Sequence, residues 1–119
     1  MDRSRKADDM IDKTIQEIEA RLRQADSLPA EKREELLGLF STLRAEVVEI
    51  SEEHGDTARD IAGHSDRSTS ELTSTAPDRD RLQASIDGLS GSVSGFEESH
   101  PKLVQAVNRI CVTLSNLGI

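Results

Sequence analysis

The chain has 119 residues, of which 34% are hydrophobic, 2% are aromatic and 32% are charged. Its 23 acidic and 15 basic residues give a formal net charge of −8, which repels nucleic-acid phosphates and anionic lipid surfaces. We therefore expect no nucleic-acid partner and no membrane partner, and we expect one helical domain over residues 1–119.

Several features of the sequence bear on the compartment. No apolar run approaches the roughly 20 residues that a membrane span needs. The basic N-terminus is not followed by the apolar stretch that a signal peptide requires. Cys111 is the single cysteine and cannot form a disulfide within the chain. Together these features predict a cytoplasmic protein.

The first predicted helix extends from about residue 5 to about residue 24. Its apolar residues recur at alternating spacings of four and three, which is the period of a coiled-coil seam. The seam consists of Ile11, Ile15, Ile18 and Leu22. Pro29 predicts both the end of this segment and the first turn of the next helix, because proline is tolerated only at a helix start.

The second predicted helix is long, from about residue 30 to residue 72. Its apolar seam consists of Leu36, Phe40, Leu43, Val47 and Ile50. The same register continues through a more polar set, His54, Thr57, Ile61, His64 and Ser68. We interpret this as one long central helix that frays into a linker at about 65–77. In the alternative interpretation, His54-Gly55-Asp56 ends the helix and the Ser/Thr-rich stretch after Ser65 is a linker.

Two further helices are predicted at about 78–97 and 101–117. The third helix has a seam of Leu82, Ile86, Leu89, Val93 and Phe96, and its glycines Gly88, Gly91 and Gly95 would let a neighbouring helix approach closely. The fourth helix starts at Pro101, carries Val107, Ile110, Leu114 and Leu117, and has Gly118 as a candidate C-terminal cap. The short connection at Pro101 predicts an antiparallel hairpin.

These patterns predict an all-α fold of helical hairpins with heptad packing, coiled-coil or four-helix-bundle-like. Because the aliphatic core is thin, self-association into a dimer or tetramer is the simplest way to bury more apolar surface. The expected core or oligomer-packing residues are the seam positions named above for all four helices.

The chemistry that the sequence offers is sparse. His54 and His64 lie ten residues apart in the heptad register, so they form a candidate polar interface that sets register between copies. Cys111 lies on the apolar stripe of the last helix and is expected to be a buried thiol with a raised pKa and little reactivity. We predict no catalytic residues, no metal ligands and no cofactor.

The segment 96–103, with sequence FEESHPKL, and the ending 114–119, with sequence LSNLGI, resemble a family of small bacterial proteins described only as a domain of unknown function. The resemblance implies an N-terminal helical hairpin followed by a turn and a terminal helix. It implies no known activity, substrate or cofactor.

The sequence therefore favours a non-enzymatic helical module for oligomerisation or protein interaction, whose partners are itself and other proteins. The polar stretch after Ile50 and the segment 96–119 are the expected partner surfaces. The alternative is a small metal-binding protein or enzyme that uses His54, His64 and carboxylates such as Glu53 and Asp60 at an oligomer interface.

Overall fold

The structure is a computed structural model that describes the backbone of residues 3–117 and the side chains of residues 10–117. Within these residues all regular structure is helical, which confirms the all-α prediction. The five helices are α1 Arg3–Gln24, α2 Ala30–Ile50, α3 Gly55–Leu72, α4 Arg79–Ser92 and α5 Pro101–Leu117. The predicted cap Gly118 and the last residue of the LSNLGI ending lie outside the described residues.

The helices form a closed arrangement in which each packs against two main neighbours. Helix α1 packs against α2 and α3, α5 packs against α2 and α4, and α3 and α4 share the most extensive contact. Helix α3 also touches α2 and α5, so it is in contact with all four other helices. None of the described helices is long and apolar enough to cross a membrane.

The predicted long central helix, residues 30–72, is wrong because the chain leaves the helical path after Ile50. The hydroxyl of Ser51 donates to the carbonyl of Val48 at 2.7 Å, and the backbone N–H of His54 donates to the carbonyl of Ile50 at 2.7 Å. Helix α3 then begins at Gly55. The heptad register passes through this turn unchanged, which is why the spacing of apolar residues did not reveal it.

The predicted linker at residues 65–77 is also wrong over most of its length. Helix α3 continues to Leu72, and only residues 73–78 connect it to α4. The carboxylate of Asp78 accepts a hydrogen bond from the backbone N–H of Arg81 at 3.0 Å and caps the new helix.

Small polar residues on α3 are buried, although the polar stretch after Ile50 was expected to be a partner surface. Ser65, Ser68 and Thr69 are all fully buried. Ser68 donates to the carbonyl of His64 at 2.8 Å, and Thr69 donates to the carbonyl of Ser65 at 2.9 Å. Because the hydroxyls of Ser68 and Thr69 bond back to their own helix, these two residues can pack against apolar neighbours with little loss of hydrogen bonding. Among the described residues, the buried hydroxyl of Ser65 has no hydrogen-bond partner.

Helix α4 is shorter than the predicted 78–97 and ends at Ser92. The turn that follows contains Gly95 with a φ of +93°, a conformation that residues with a side chain rarely adopt. Phe96 donates its N–H to the carbonyl of Val93 at 3.0 Å and thus lies in the turn, not on the helix. Helix α5 has the bounds predicted for the last helix.

The seam positions pack inside a single chain. All of them are buried except Phe96 and Leu117, which are half-buried against the same core. Helix α3 adds Ala58, Ile61 and Leu72 to this core. The apolar seams are therefore joined in a bundle of short helices instead of running along one extended helix.

Candidate functional site

Three rings from two distant turns meet at one end of the bundle. His54 precedes α3, whereas Phe96 and His100 come from the connection between α4 and α5. The ring centroids of His54 and Phe96 are 5.0 Å apart, those of Phe96 and His100 are 5.7 Å apart, and those of His54 and His100 are 6.4 Å apart. The edge-to-face contact of His54 on Phe96 fastens the α2–α3 turn to the FEESHP turn.

His64 lies elsewhere and does not pair with His54. It packs on α4, where an added Cβ on Gly88 would lie only 2.5 Å from its Cε1 atom. Arg67 donates from Nη2 to the Nδ1 atom of His64 at 3.0 Å. Since arginine can only donate, Nδ1 must accept and the ring proton resides on Nε2. The imidazole is therefore held as a neutral ring within one chain.

The glycines predicted to allow close approach differ in what they contact. Gly88 does so, because the His64 ring occupies the space of its missing side chain. At Gly91 and Gly95 a Cβ would meet nothing within 4 Å. Of these three glycines, only Gly88 is closely approached, and the group that approaches it is the imidazole of His64 on α3.

We predict that Gly88→Ala destabilises the wild-type protein but stabilises a His64→Ala background. Alanine in a helix interior is favoured over glycine by about 1 kcal/mol, but in the wild type the new methyl group displaces the imidazole and breaks its bond to Arg67. Urea unfolding of the four variants measures this coupling. Gly38→Ala on α2, which has nothing within 4 Å of the added Cβ, should be stabilising in both backgrounds. Equal effects of Gly88→Ala in both backgrounds would contradict the contact.

The environment of His64 also predicts a pH dependence of stability. Burial and the positive charge of Arg67 lower the pKa of His64 from 6.5, and the carboxylate of Asp60 opposes them. The unfolded chain therefore binds this proton at a higher pH than the folded chain does. The resulting stabilisation is complete above about pH 6.5 and is lost as the pH falls through the folded-state pKa.

Between pH 7 and pH 5, the free energy of unfolding should therefore fall less steeply in His64→Gln than in the wild type. Arg67→Gln should give an intermediate slope, because it removes one of the two causes of the lowered pKa. Urea melts at several pH values measure these slopes. Identical slopes for wild type and His64→Gln would rule out the effect.

Cys111 is buried on α5, as the sequence predicted. Its S–H group points to the carbonyl of Ile86 at 3.7 Å, which ties α5 to α4. Burial and the nearby carboxylate of Asp87 raise the pKa of the thiol to about 11. At neutral pH the side chain is a small apolar group with almost no reactive thiolate.

We predict that a thiol-reactive disulfide reagent modifies Cys111 slowly at pH 8 in the folded protein and rapidly in 8 M urea. The folded thiol is both shielded and protonated, whereas unfolding removes both effects. The rate of thiolate release, followed by absorbance, is the measurement. Similar rates in the two conditions would show that α5 does not cover this residue.

The outer face of α5 differs from the rest of the surface. Lys102 and Arg109 are the only charged residues of this helix, whereas 32% of the whole chain is charged. Val112 is 60% exposed and borders two shallow depressions. One, of about 280 Å³, lies between α2 and α5, and the other, of about 410 Å³, lies between α4 and α5. We call Asn108, Arg109, Val112, Ser115 and Asn116 the α5 surface.

The metal hypothesis receives no support from the arrangement of these side chains. Among residues 10–117, no three histidine, cysteine, aspartate or glutamate side chains are placed to hold a metal ion. His54 and His64 belong to separate environments, and the ring that lies near His54 is that of His100, from the connection between α4 and α5. No spacing in the sequence indicates this pairing, because it depends on how the two turns meet.

The fold and these surfaces define a small acidic helical bundle. A family model matches residues 11–119, and the chain belongs to that family, whose description is "Domain of unknown function (DUF4404)". This confirms the resemblance inferred from the FEESHPKL and LSNLGI segments. No match was found among curated proteins or among solved structures.

Proposed function

We propose that the protein is a non-enzymatic interaction module that self-associates through the α5 surface. The observation that supports this most directly is the exposed Val112 between two depressions on the least charged helix face. Protein interfaces are depleted of charged residues at their centres, and a partner that covers an exposed apolar side chain removes it from water.

Charge favours a second copy of the chain as the partner. Two chains that each carry −8 repel one another over most of their surfaces. The α5 helix has no acidic residue and contributes two positive charges, so bringing two α5 helices together opposes the fewest like charges. In a twofold arrangement each Val112 can fill a depression on the other copy, because the two surfaces are identical.

A standard interface covers about 800 Å² on each partner, and the accessible surface of the chain is 7091 Å². We expect the interface to extend from the α5 surface onto the neighbouring edges of α2 and α4, where Glu35 and Asp87 border the two depressions.

The mass in solution tests the proposal. We expect a dimer at micromolar concentration by light scattering, and a monomer for Val112→Glu with an unchanged helical circular dichroism spectrum. Met10→Glu is the matched control, because Met10, on α1, is the other exposed large apolar residue among residues 10–117, at 68%. A wild type that stays monomeric, or a Met10→Glu variant that dissociates equally, would contradict the proposal.

A further inference from the structure

A depression of about 550 Å³ runs between α3 and α4, on a part of the surface distinct from the α5 surface. We call it the α3–α4 groove. Its lining includes small residues of α4, which leave it open, and side chains of α3 that carry hydrogen-bonding groups. The residues that line it are His64, Asp66, Arg67, Ser70, Glu71, Arg81, Ala84 and Ser85.

Both acidic residues of the α3–α4 groove are already engaged. Asp66 accepts a hydrogen bond from Nη1 of Arg21 at 3.0 Å, and the same guanidinium atom donates to Ser70 at 2.7 Å. One carboxylate oxygen of Glu71 accepts the backbone N–H of Asp78 at 2.8 Å. Each carboxylate of the groove thus accepts a hydrogen bond within the chain, and that of Asp66 is also paired with a cation.

The two arginines that line the α3–α4 groove differ from its carboxylates in their pairing. Among the described residues, no carboxylate lies within ion-pairing distance of Arg67 or Arg81. Arg67 uses one N–H of Nη2 on His64 and keeps four other donors. The bond from Arg67 also fixes the His64 proton on Nε2, on the ring edge that faces Gly88 of α4. The groove therefore offers two guanidinium groups with which no carboxylate of the described residues is paired.

We infer that the α3–α4 groove binds a small organic ligand through an anionic group, a carboxylate or a phosphate, held between Arg67 and Arg81. Guanidinium groups match both anions with paired hydrogen bonds. His64 and Ser85 also line the groove and carry neutral hydrogen-bonding groups. The groove is larger than the anion alone, so the remainder of the ligand lies over Ala84.

The probes are inorganic phosphate and acetate, titrated separately into the protein at constant ionic strength set with chloride. The Cε1 proton signal of His64 reports binding, with the His64→Gln variant used to identify that signal. We expect a saturable shift with at least one probe. The probe with the higher affinity identifies the anionic group as phosphate or carboxylate. The absence of a saturable shift with both probes would overturn the inference.

Single substitutions distinguish a defined binding site from a general attraction of anions to positively charged side chains. Arg67→Gln and Arg81→Gln should each weaken binding by about tenfold, the effect of losing one charge-assisted hydrogen-bonded contact. Arg79→Gln removes the same charge from an exposed position of α4 that does not line the groove, and it should leave the affinity unchanged. Equal weakening by all three substitutions would show only a response to net charge and would overturn the site.

Discussion

Replacing Ile61 by alanine is expected to lower the free energy of unfolding by about 2–5 kcal/mol, the usual cost of truncating a fully buried aliphatic side chain. Ile61 has no exposed surface and belongs to the hydrophobic core cluster. It lies on α3, the helix that touches all four others, so the cavity left by truncation is walled by several helices. Urea unfolding followed by circular dichroism measures the change.

Two comparison variants make this result decisive for the position of α3. Leu43→Ala on α2 is equally buried and should fall in the same range, whereas Met10→Ala, at an exposed position of α1 away from the proposed interface, should change stability little. If residues 55–72 were an exposed, weakly packed segment, Ile61→Ala would resemble Met10→Ala. That outcome would contradict the central position of α3.

The sequence predicted the core residues of four helices but not the role of α3. A periodic apolar pattern identifies the buried face of a helix when that face is made of leucine, isoleucine and valine, as in α1, α2 and α5. In α3 the buried face includes Ser65, Ser68 and Thr69. Residues of this kind are usually exposed, and only the packing of the other helices around them shows that they are buried here.

Helix boundaries were predictable where a residue imposes a backbone conformation. Pro101 marked the start of α5 correctly, and Gly95 could have marked the end of α4, since glycine is common just after a helix. The break after Ile50 has no proline, and its glycine, Gly55, is the first residue of α3, so the alternative that ended the helix at His54-Gly55-Asp56 was close to the observed break. It is set by tertiary packing, because α3 must turn back against α1 and α4.

The surfaces could be predicted only in part. The scarcity of charge on α5 is visible in the sequence, whereas the expectation that the segment 96–119 is a partner surface stays a prediction. The α3–α4 groove was not visible, because it combines side chains of helices whose facing was unknown. Likewise, the contact of His54 with His100 follows from two turns meeting at one end of the bundle.

The second large loss of stability is expected at an ion pair between α1 and α2 in which the carboxylate is buried. Glu19 is 5% exposed and accepts a hydrogen bond from Nη1 of Arg44 at 3.0 Å. The Nε atom of the same guanidinium lies 3.5 Å from a carboxylate oxygen of Asp12. Arg44 therefore balances two acids of α1, of which Glu19 has almost no access to water.

We expect Arg44→Met to lower the free energy of unfolding by about 1–3 kcal/mol, because it leaves a buried carboxylate without its hydrogen-bond donor. Methionine keeps most of the aliphatic length of the arginine side chain, so loss of packing contributes little. Urea unfolding at neutral pH provides the measurement.

The matched control is Arg21→Met, which removes a contact of the same 3.0 Å length from α1 to Asp66 of α3. Both partners of that pair are more than one-third exposed, so water can replace the lost cation and the expected cost is at most about 1 kcal/mol. Adding Glu19→Gln to Arg44→Met should recover part of the lost stability, since the neutral amide is less costly to bury than the unpaired carboxylate. If Arg21→Met proved as damaging as Arg44→Met, or Glu19→Gln gave no recovery, the burial of Glu19 would not be the cause. Recovery in the double variant Arg44→Met/Glu19→Gln would show that the main contribution of Arg44 is to neutralise Glu19, which the packing encloses. The contact between α1 and α2 would then depend mainly on their apolar seams.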